Sequence, residues 1–347
     1  MDTIIRKITD NEDNNETIIK TAADIIARGG LVAFPTETVY GLGANALDKS
    51  ASTRIYEAKG RPSNNPLIVH IAKPEDAEKY VYTDERYYKI AKAFMPGPIT
   101  VILPTKNVVA ESVCAGLDTL AVRCPSHPIA RSFIEACGCP IAAPSANTSG
   151  RPSPTSASHV LHDLDGKIDL IIDGGECEVG LESTIIKLDK NGKCILLRPG
   201  GITPEMLTDI LGNVEIAHGV VERPHEDEKV ESPGMLISHY APKAPLYLVR
   251  GSEIRVNDFL SKKLSHDGAY VLCCDGVLEN SDKIISLGST SDLSEIAKRL
   301  FAALREADEL GAREIFCPYP SDQGLGLALL NRMLRASAFR VIDADDI

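Results

Sequence analysis

Eight apolar runs of four to six residues punctuate the chain between Leu31 and Leu197: LVAF, LIVHI, ITVIL, LAVR, PIAA, DLIID, STIIKL and CILL. Each has the length of a buried strand, and several are separated by stretches of helical spacing, which predicts an α/β domain. The clearest helix lies at 16–28, where Ile18, Ile19, Ala22, Ala23, Ile25 and Ile26 recur on one face before Gly29 and Gly30. DERYYKIAKAFM, stopped by Pro96 and Gly97, and HPIARSFIEAC are two more. Residues 1–212 therefore read as one α/β domain.

The composition changes at about residue 213. VERPHEDEKVESPG carries five acids, two bases and two prolines, so 213–245 reads as an exposed linker. Beyond it, PLYLVR, AYVLCC, KIISLG and EIFCPY alternate with helical stretches, which predicts a second, smaller α/β domain over 246–347 with Rossmann-like or flavodoxin-like layering. Its strongest helix is expected to start with Asp292-x-x-Glu295, resembling a capping box, and to bury Leu293, Ile296, Ala297, Leu300, Phe301 and Leu304. A chain of 347 residues exceeds what one core usually supports, in keeping with two domains.

Several protein classes are disfavoured. There is no basic start followed by an apolar signal region, and no uninterrupted apolar stretch of membrane-spanning length, so neither secretion nor a membrane partner is expected. Nine cysteines without a C-x-x-C pair fit reduced thiols in a cytoplasm better than a zinc site or a disulfide framework. A net charge of -12 argues against wrapping long nucleic acid, while leaving room for a local basic groove.

Three stretches of the first domain could carry chemistry. FPTETVYGLGANA contains Gly41-x-Gly43-x-x-Ala46, formally a dinucleotide fingerprint, but PTETVY stands between the strand and the glycines, so nicotinamide-dependent redox chemistry is a remote reading. KGRP sets Lys59 and Arg61 two apart on what reads as a short loop, either a bracket for phosphate or carboxylate or a solvated surface turn. Asn65 and His70 follow closely, His70 in an apolar strand that would equally suit a core histidine. PIAAPSANTSGRPSPTSASHV sets four prolines, five serines and two threonines beside a single Arg and no acid, and its Pro144-Ser145-Ala146-Asn147 falls where a strand meets a loop. That is a usual position for ligand groups in α/β sheets, though the segment also reads as a turn-rich connector with a capped helix. His159 and His162 read as exposed positions on that helix rather than as metal ligands. Arg123 and Arg198, each after apolar strand residues, could be edge residues or buried anion ligands, and Ser183 is equally open.

Taken together, FPTETVYGLGANA, KGRPSNNPLIVHI, PGPITVIL, LAVRCPSHPIA, APSANTSGRPSPT, DGGECEVGLESTIIKL and LRPGGIT resemble the YrdC/Sua5 family of L-threonylcarbamoyladenylate synthases. SPGMLISHYAP resembles the linker of the family's long, two-domain form, departing from it at Leu236, Ile237 and Ser238. The resemblance implies a twisted, mixed-sheet first domain with a concave, positively lined cavity, followed by the smaller domain. It also implies the reaction of L-threonine, bicarbonate and ATP, with Mg²⁺, to threonylcarbamoyl-AMP and pyrophosphate. That product serves threonylcarbamoylation of adenosine 37 in tRNA, after transfer by a separate tRNA threonylcarbamoyl transferase as a possible partner. Carried over by motif, Thr38, His70, Arg123, Ala143 (through its backbone) and Ser183 lie around threonine, with Arg123 facing its carboxylate. Arg61, Asn65, Thr119, Ser145, Ser153 and Arg198 line the nucleotide; Lys59 and Arg61 are the catalytic cations, and Asn147 shapes the site. Tyr240 folds over the nucleotide as part of a lid. The rival expectation is a non-catalytic RNA-binding module of the same fold with weak tRNA contact, which would show strongly salt-dependent RNA binding and no ATP turnover.

Overall fold

A computed structural model describes residues 2–223 and 239–347 of the chain. In chain order the first part comprises β1 (Ile4–Lys7), α1 (Glu12–Ala27), β2 (Val32–Phe34), β3 (Gly41–Asn45), α2 (Lys49–Lys59), β4 (Ile68–His70), α3 (Glu85–Phe94), β5 (Ile99–Pro104), α4 (Glu111–Cys114), β6 (Thr119–Arg123), α5 (Pro128–Cys137), β7 (Ile141–Ala143), α6 (Ala157–Leu164), β8 (Leu170–Asp173), β9 (Thr184–Leu188), β10 (Cys194–Arg198), α7 (Pro204–Leu211) and β11 (Glu215–Ile216). Its eleven strands form one mixed sheet in the order β1-β8-β2-β3-β7-β4-β6-β5-β9-β10-β11.

All eight apolar runs become strands, because each is buried by helices or by the neighbouring turns of the sheet. Helix α1 starts four residues earlier than its apolar spacing suggests. The Asn11 side chain accepts from Asn14 N, and Glu12 and Asp13 sit in the first turn, so capping and the helix dipole extend it through a wholly polar segment.

The Gly41-x-Gly43 spacing is not a phosphate-binding turn. It is β3, antiparallel to both β2 and β7. A Cβ on Gly43 would lie 2.8 Å from Ile141 Cγ2 and 3.0 Å from Phe34 Cε1, so the glycine serves close packing within the sheet.

The second part comprises β12 (Leu246–Arg250), α8 (Glu253–Leu264), β13 (Ala269–Cys273), β14 (Ile284–Ser286), α9 (Leu293–Glu309), β15 (Glu314–Pro318), α10 (Leu325–Ala336) and β16 (Val341–Asp343). Its five strands are all parallel, in the order β14-β13-β15-β12-β16. Helix α8 covers one face, while α9 and α10 cover the other, giving Rossmann-like layering with its own strand order. At the start of α9 the Asp292 side chain accepts from Ser294 N and Glu295 N as a cap should. Glu295 does not complete a capping box: it accepts from Ser289 N at 2.9 Å, and Leu293 is exposed rather than buried.

The two parts dock through α9 and α10. Arg305 pairs with Asp163 at 2.9 Å and donates to Pro152 O. Asn331 donates to Val220 O at 2.6 Å, Arg335 to Gly219 O at 2.6 Å, and Arg332 pairs with Glu182 at 2.7 Å. Apolar packing crosses the same seam, since Val39 and Leu181 join the cluster built on Phe301 and Leu300, and Leu327 joins the core of the first sheet. All nine cysteines are free thiols, and among the described residues no helix is long and apolar enough to cross a membrane.

Candidate active site

A cavity opens where the ends of several strands of the first sheet meet His239 and Tyr240 near the end of the linker. Strands β4 and β6 run parallel in a register that sets His70 beside Arg123, and both residues are the last of their strands. Ala143 ends β7 opposite Ile68, Ser183 precedes β9, and Arg198 ends β10. Chain direction thus delivers these side chains to one place from segments far apart in sequence.

Arg123 is 4% exposed. Its Nη2 donates to Glu37 Oε1 at 2.8 Å, while Glu37 Oε2 accepts from Ser126 N at 3.2 Å. The Arg123 Nε is buried and has no partner among the described residues. An acceptor supplied from outside the chain, such as a carboxylate, would satisfy this donor. Thr36 and Thr38 share a hydroxyl hydrogen bond of 2.8 Å, with Thr36 on the wall and Thr38 one layer behind it. His70 Nδ1 sits 3.2 Å from Ile68 O. Burial, reinforced by Arg123, lowers its pKa to about 3, so it is a neutral imidazole under ordinary conditions.

Across the cavity, Arg61 is 7% exposed and donates to Pro66 O at 3.0 Å. Burial brings its pKa to about 10, as it does for Arg198, and both remain cations at neutral pH. Arg198 Nε donates to Ser183 O at 3.0 Å, and Ser183 Oγ is 2.8 Å from Thr100 Oγ1. Asn65 is buried behind Arg61, its Oδ1 without a partner among the described residues.

The KGRP segment is neither a surface turn nor a two-cation loop. Lys59 is the last residue of α2 and is 2% exposed; Gly60 closes the helix at φ 62°. The Lys59 ammonium donates to Ser145 O at 2.6 Å and to Asn147 O, which ties α2 to the loop after β7. Burial, then the charge of Arg61, pulls its pKa down. Arg61 and Ser145 reach the cavity wall, whereas Lys59, Asn65, Asn147 and Ser153 form the layer behind it. Ser153 Oγ donates to Glu182 Oε1. Thr119 starts β6 opposite Pro104, at the far end of the strand from Arg123, and is not on the cavity wall.

Tyr240 lines the cavity and is 1% exposed. Its ring lies 5.2 Å from that of Phe301 and beneath the Arg332 guanidinium at 5.7 Å. The linker departures at Leu236, Ile237 and Ser238 lie outside the described residues. Among the described residues no group of three His, Cys, Asp or Glu side chains is placed to hold a metal ion.

Sequence reasoning missed Glu37, Glu182, His239 and Arg332. Glu37 and Glu182 sat inside PTET and LESTIIKL, where a lone acid in a buried context was a signal. Arg332 carried a fainter one, a charge in the middle of the apolar stretch LGLALLNRML. His159, expected on the surface, is half-buried: its Nδ1 accepts from Thr155 N at 3.3 Å, and burial lowers its pKa to about 4.

Three histidines are therefore held neutral in the folded chain, His70 and His239 with pKa about 3 and His159 about 4. Below an unfolded-state value of 6.5, the unfolded chain takes up protons that the folded chain refuses. Their stabilisation is thus complete above that pH and declines as pH falls, by up to about 1.4 kcal/mol per pH unit for each group. The urea midpoint is expected to drop between about pH 6.5 and 4, with a shallower slope in His159→Gln. Burial works against the Asp163 carboxylate, but its bond to Arg305 outweighs burial and brings the pKa to about 2, so its stabilisation is complete above the ordinary value of 3.8 and is lost only as pH falls from there toward about 2. A flat midpoint across the higher window would contradict the neutral assignments.

Fold and cavity together define a two-domain α/β protein with a cation-lined cavity at the strand ends of its first sheet. The comparisons are more specific. A family model described as "Telomere recombination" (Sua5, YciO and YrdC) matches residues 24–200, and one described as "Threonylcarbamoyl-AMP synthase, C-terminal domain" matches 202–338. The chain is 46% identical to the threonylcarbamoyl-AMP synthase of Pyrococcus abyssi, covering 93% of this chain and 95% of that protein. It is 43% identical to the Bacillus subtilis threonylcarbamoyl-AMP synthase, over 96% and 97%. The crystal structure of P. abyssi Sua5 complexed with L-threonine superposes with a TM-score of 0.89 at 44% identity, covering 99% of each chain. This chain belongs to the Sua5/YrdC family of threonylcarbamoyl-AMP synthases.

Proposed function

We infer that the protein is a threonylcarbamoyl-AMP synthase that uses L-threonine, bicarbonate and the Mg²⁺ complex of ATP. The observation that carries the chemistry is the cavity itself. It brings Arg61, Arg123 and Arg198 together in a chain of net charge -12, and among the described residues no Ser, Cys or Lys on its wall is set up as a nucleophile. Such a site suits a reaction in which the substrates attack one another. The threonine amine adds to bicarbonate with loss of water to give a carbamate. A carbamate oxygen then attacks the α-phosphorus of ATP, and pyrophosphate leaves with the electron pair of the broken P–O bond.

The protein's share is placement and charge stabilisation. Arg123, held by Glu37, takes the threonine carboxylate through its Nε; neutral His70 and the Ala143 backbone border the same ligand. Arg61 and Arg198 take the triphosphate side, with Ser145 nearby. Lys59 and Asn147 fix the loop that carries Ser145, and Tyr240 covers the nucleotide. Adenylyl transfer makes the enzyme a nucleotidyltransferase whose product feeds a tRNA-modifying transferase, consistent with cytoplasmic work. Pyrophosphate release from ATP that requires both L-threonine and bicarbonate supports this reading. Release independent of either co-substrate, or none from folded protein, would count against it.

A further inference from the structure

Glu182 is a carboxylate on the wall of a cavity that otherwise presents cations, and the group that neutralises it comes from the other domain. Arg332, in the middle of α10 and 0% exposed, donates from Nε to Glu182 Oε2 at 2.7 Å and from Nη2 to Glu182 O at 3.3 Å. Its Nη1 is held by Asn331 Oδ1 at 2.8 Å, and its guanidinium lies over Tyr240. Glu182 in turn accepts from Ser153. A buried ion pair is poor evidence for a gain in stability, since desolvation offsets the attraction. Its position against the cavity gives it another use.

We propose that Arg332 is a positioning residue for the nucleotide half of the cavity: it pairs Glu182, keeps Arg198 directed at the triphosphate, and so makes the second domain a component of the active site. The proposal rests on the synthase reading. The groups facing Glu182 are Arg332 from α10, Arg198 from β10, Lys59 from α2, and His239 and Tyr240 from the linker. Without Arg332, the carboxylate would turn to Arg198 for its counter-charge and stand as an anion beside the entering phosphates.

The experiment compares Arg332→Met, Glu182→Gln and their double variant in the full chain, by KM for ATP, KM for L-threonine and the pH profile. Arg332→Met is expected to raise KM for ATP by about tenfold or more, with little change for threonine. In the wild type Arg332 counters the burial of Glu182; once it is gone, burial raises the carboxyl pKa. The defect should therefore shrink as pH falls and Glu182 takes a proton. The double variant should return to within about threefold of Glu182→Gln alone, because no unpaired charge remains. An unchanged KM for ATP in folded Arg332→Met would overturn the proposal, as would a double variant as weak as Arg332→Met. Should Arg332→Met fail to fold, the double variant decides by the same comparison with Glu182→Gln. If the wild type releases no pyrophosphate, the synthase reading fails by itself. Calorimetric Mg-ATP binding by the same variants then still reads the effect of Arg332.

Discussion

Arg123→Ala is expected to lower kcat/KM for L-threonine by about 10²–10³-fold while leaving a folded, less stable protein. Two losses add. On the proposed reading the ligand carboxylate loses its cationic partner, and Glu37, 3% exposed, is left as an unpaired buried anion. Arg123→Lys separates the two contributions: it keeps the charge that Glu37 needs but cannot offer a fork to Glu37 and the substrate at once. It should regain most of the stability and only part of the activity. Adding Glu37→Gln to Arg123→Ala should likewise restore stability without restoring turnover. Steady-state kinetics and urea unfolding on these variants and the wild type check this. Near-normal threonine kinetics in Arg123→Ala would remove Arg123 from the site.

Gly180→Ala should produce a large loss of stability from a single methyl group. Gly180 has φ +74°, and a Cβ there would fall 2.4 Å from Lys298 Cα and 2.7 Å from Ala297 O, both backbone atoms of α9. Neither can yield without shifting the helix that helps dock the second domain. Gly175 is the control: its φ is +86°, but among the described residues nothing lies within 4 Å of where an alanine methyl would sit. Gly175→Ala carries the left-handed strain alone, about 1 kcal/mol. Gly180→Ala adds overpacking against backbone and should lower the thermal midpoint by about 5–10 °C. It should also weaken ATP use, since displacing α9 and α10 withdraws Arg332 from Glu182. Equal midpoints for the two variants would contradict the close approach of the domains.

The first sheet was legible in the chain because its strands are continuous apolar runs buried on both faces. The strands that escaped notice lack that pattern for identifiable reasons. Strand β1 is exposed along its length on the sheet edge, and β3 is GLGAN, whose glycines answer to Phe34 and Ile141 rather than to strand propensity. Of the site, the cations and the Ser/Asn loop were legible as residue types, but their roles depended on direction. Lys59 and Arg61 are neighbours in KGRP, yet the last turn of α2 sends one to the loop after β7 and the other to the cavity. The acid–base pairs were out of reach because their partners meet only through the fold: Glu37 with Arg123 across 86 residues, and Glu182 with Arg332 across 150. No local pattern records such a pairing, except that a charge placed among buried apolar residues must find one.

The most direct measurement is the identity of the adenylate formed from ATP, L-threonine and ¹³C-bicarbonate, read by mass spectrometry before it decomposes. The cavity as described predicts threonylcarbamoyl-AMP carrying the ¹³C label, formed together with pyrophosphate. An unlabelled threonyl-AMP, or no adenylate from folded protein, would contradict it.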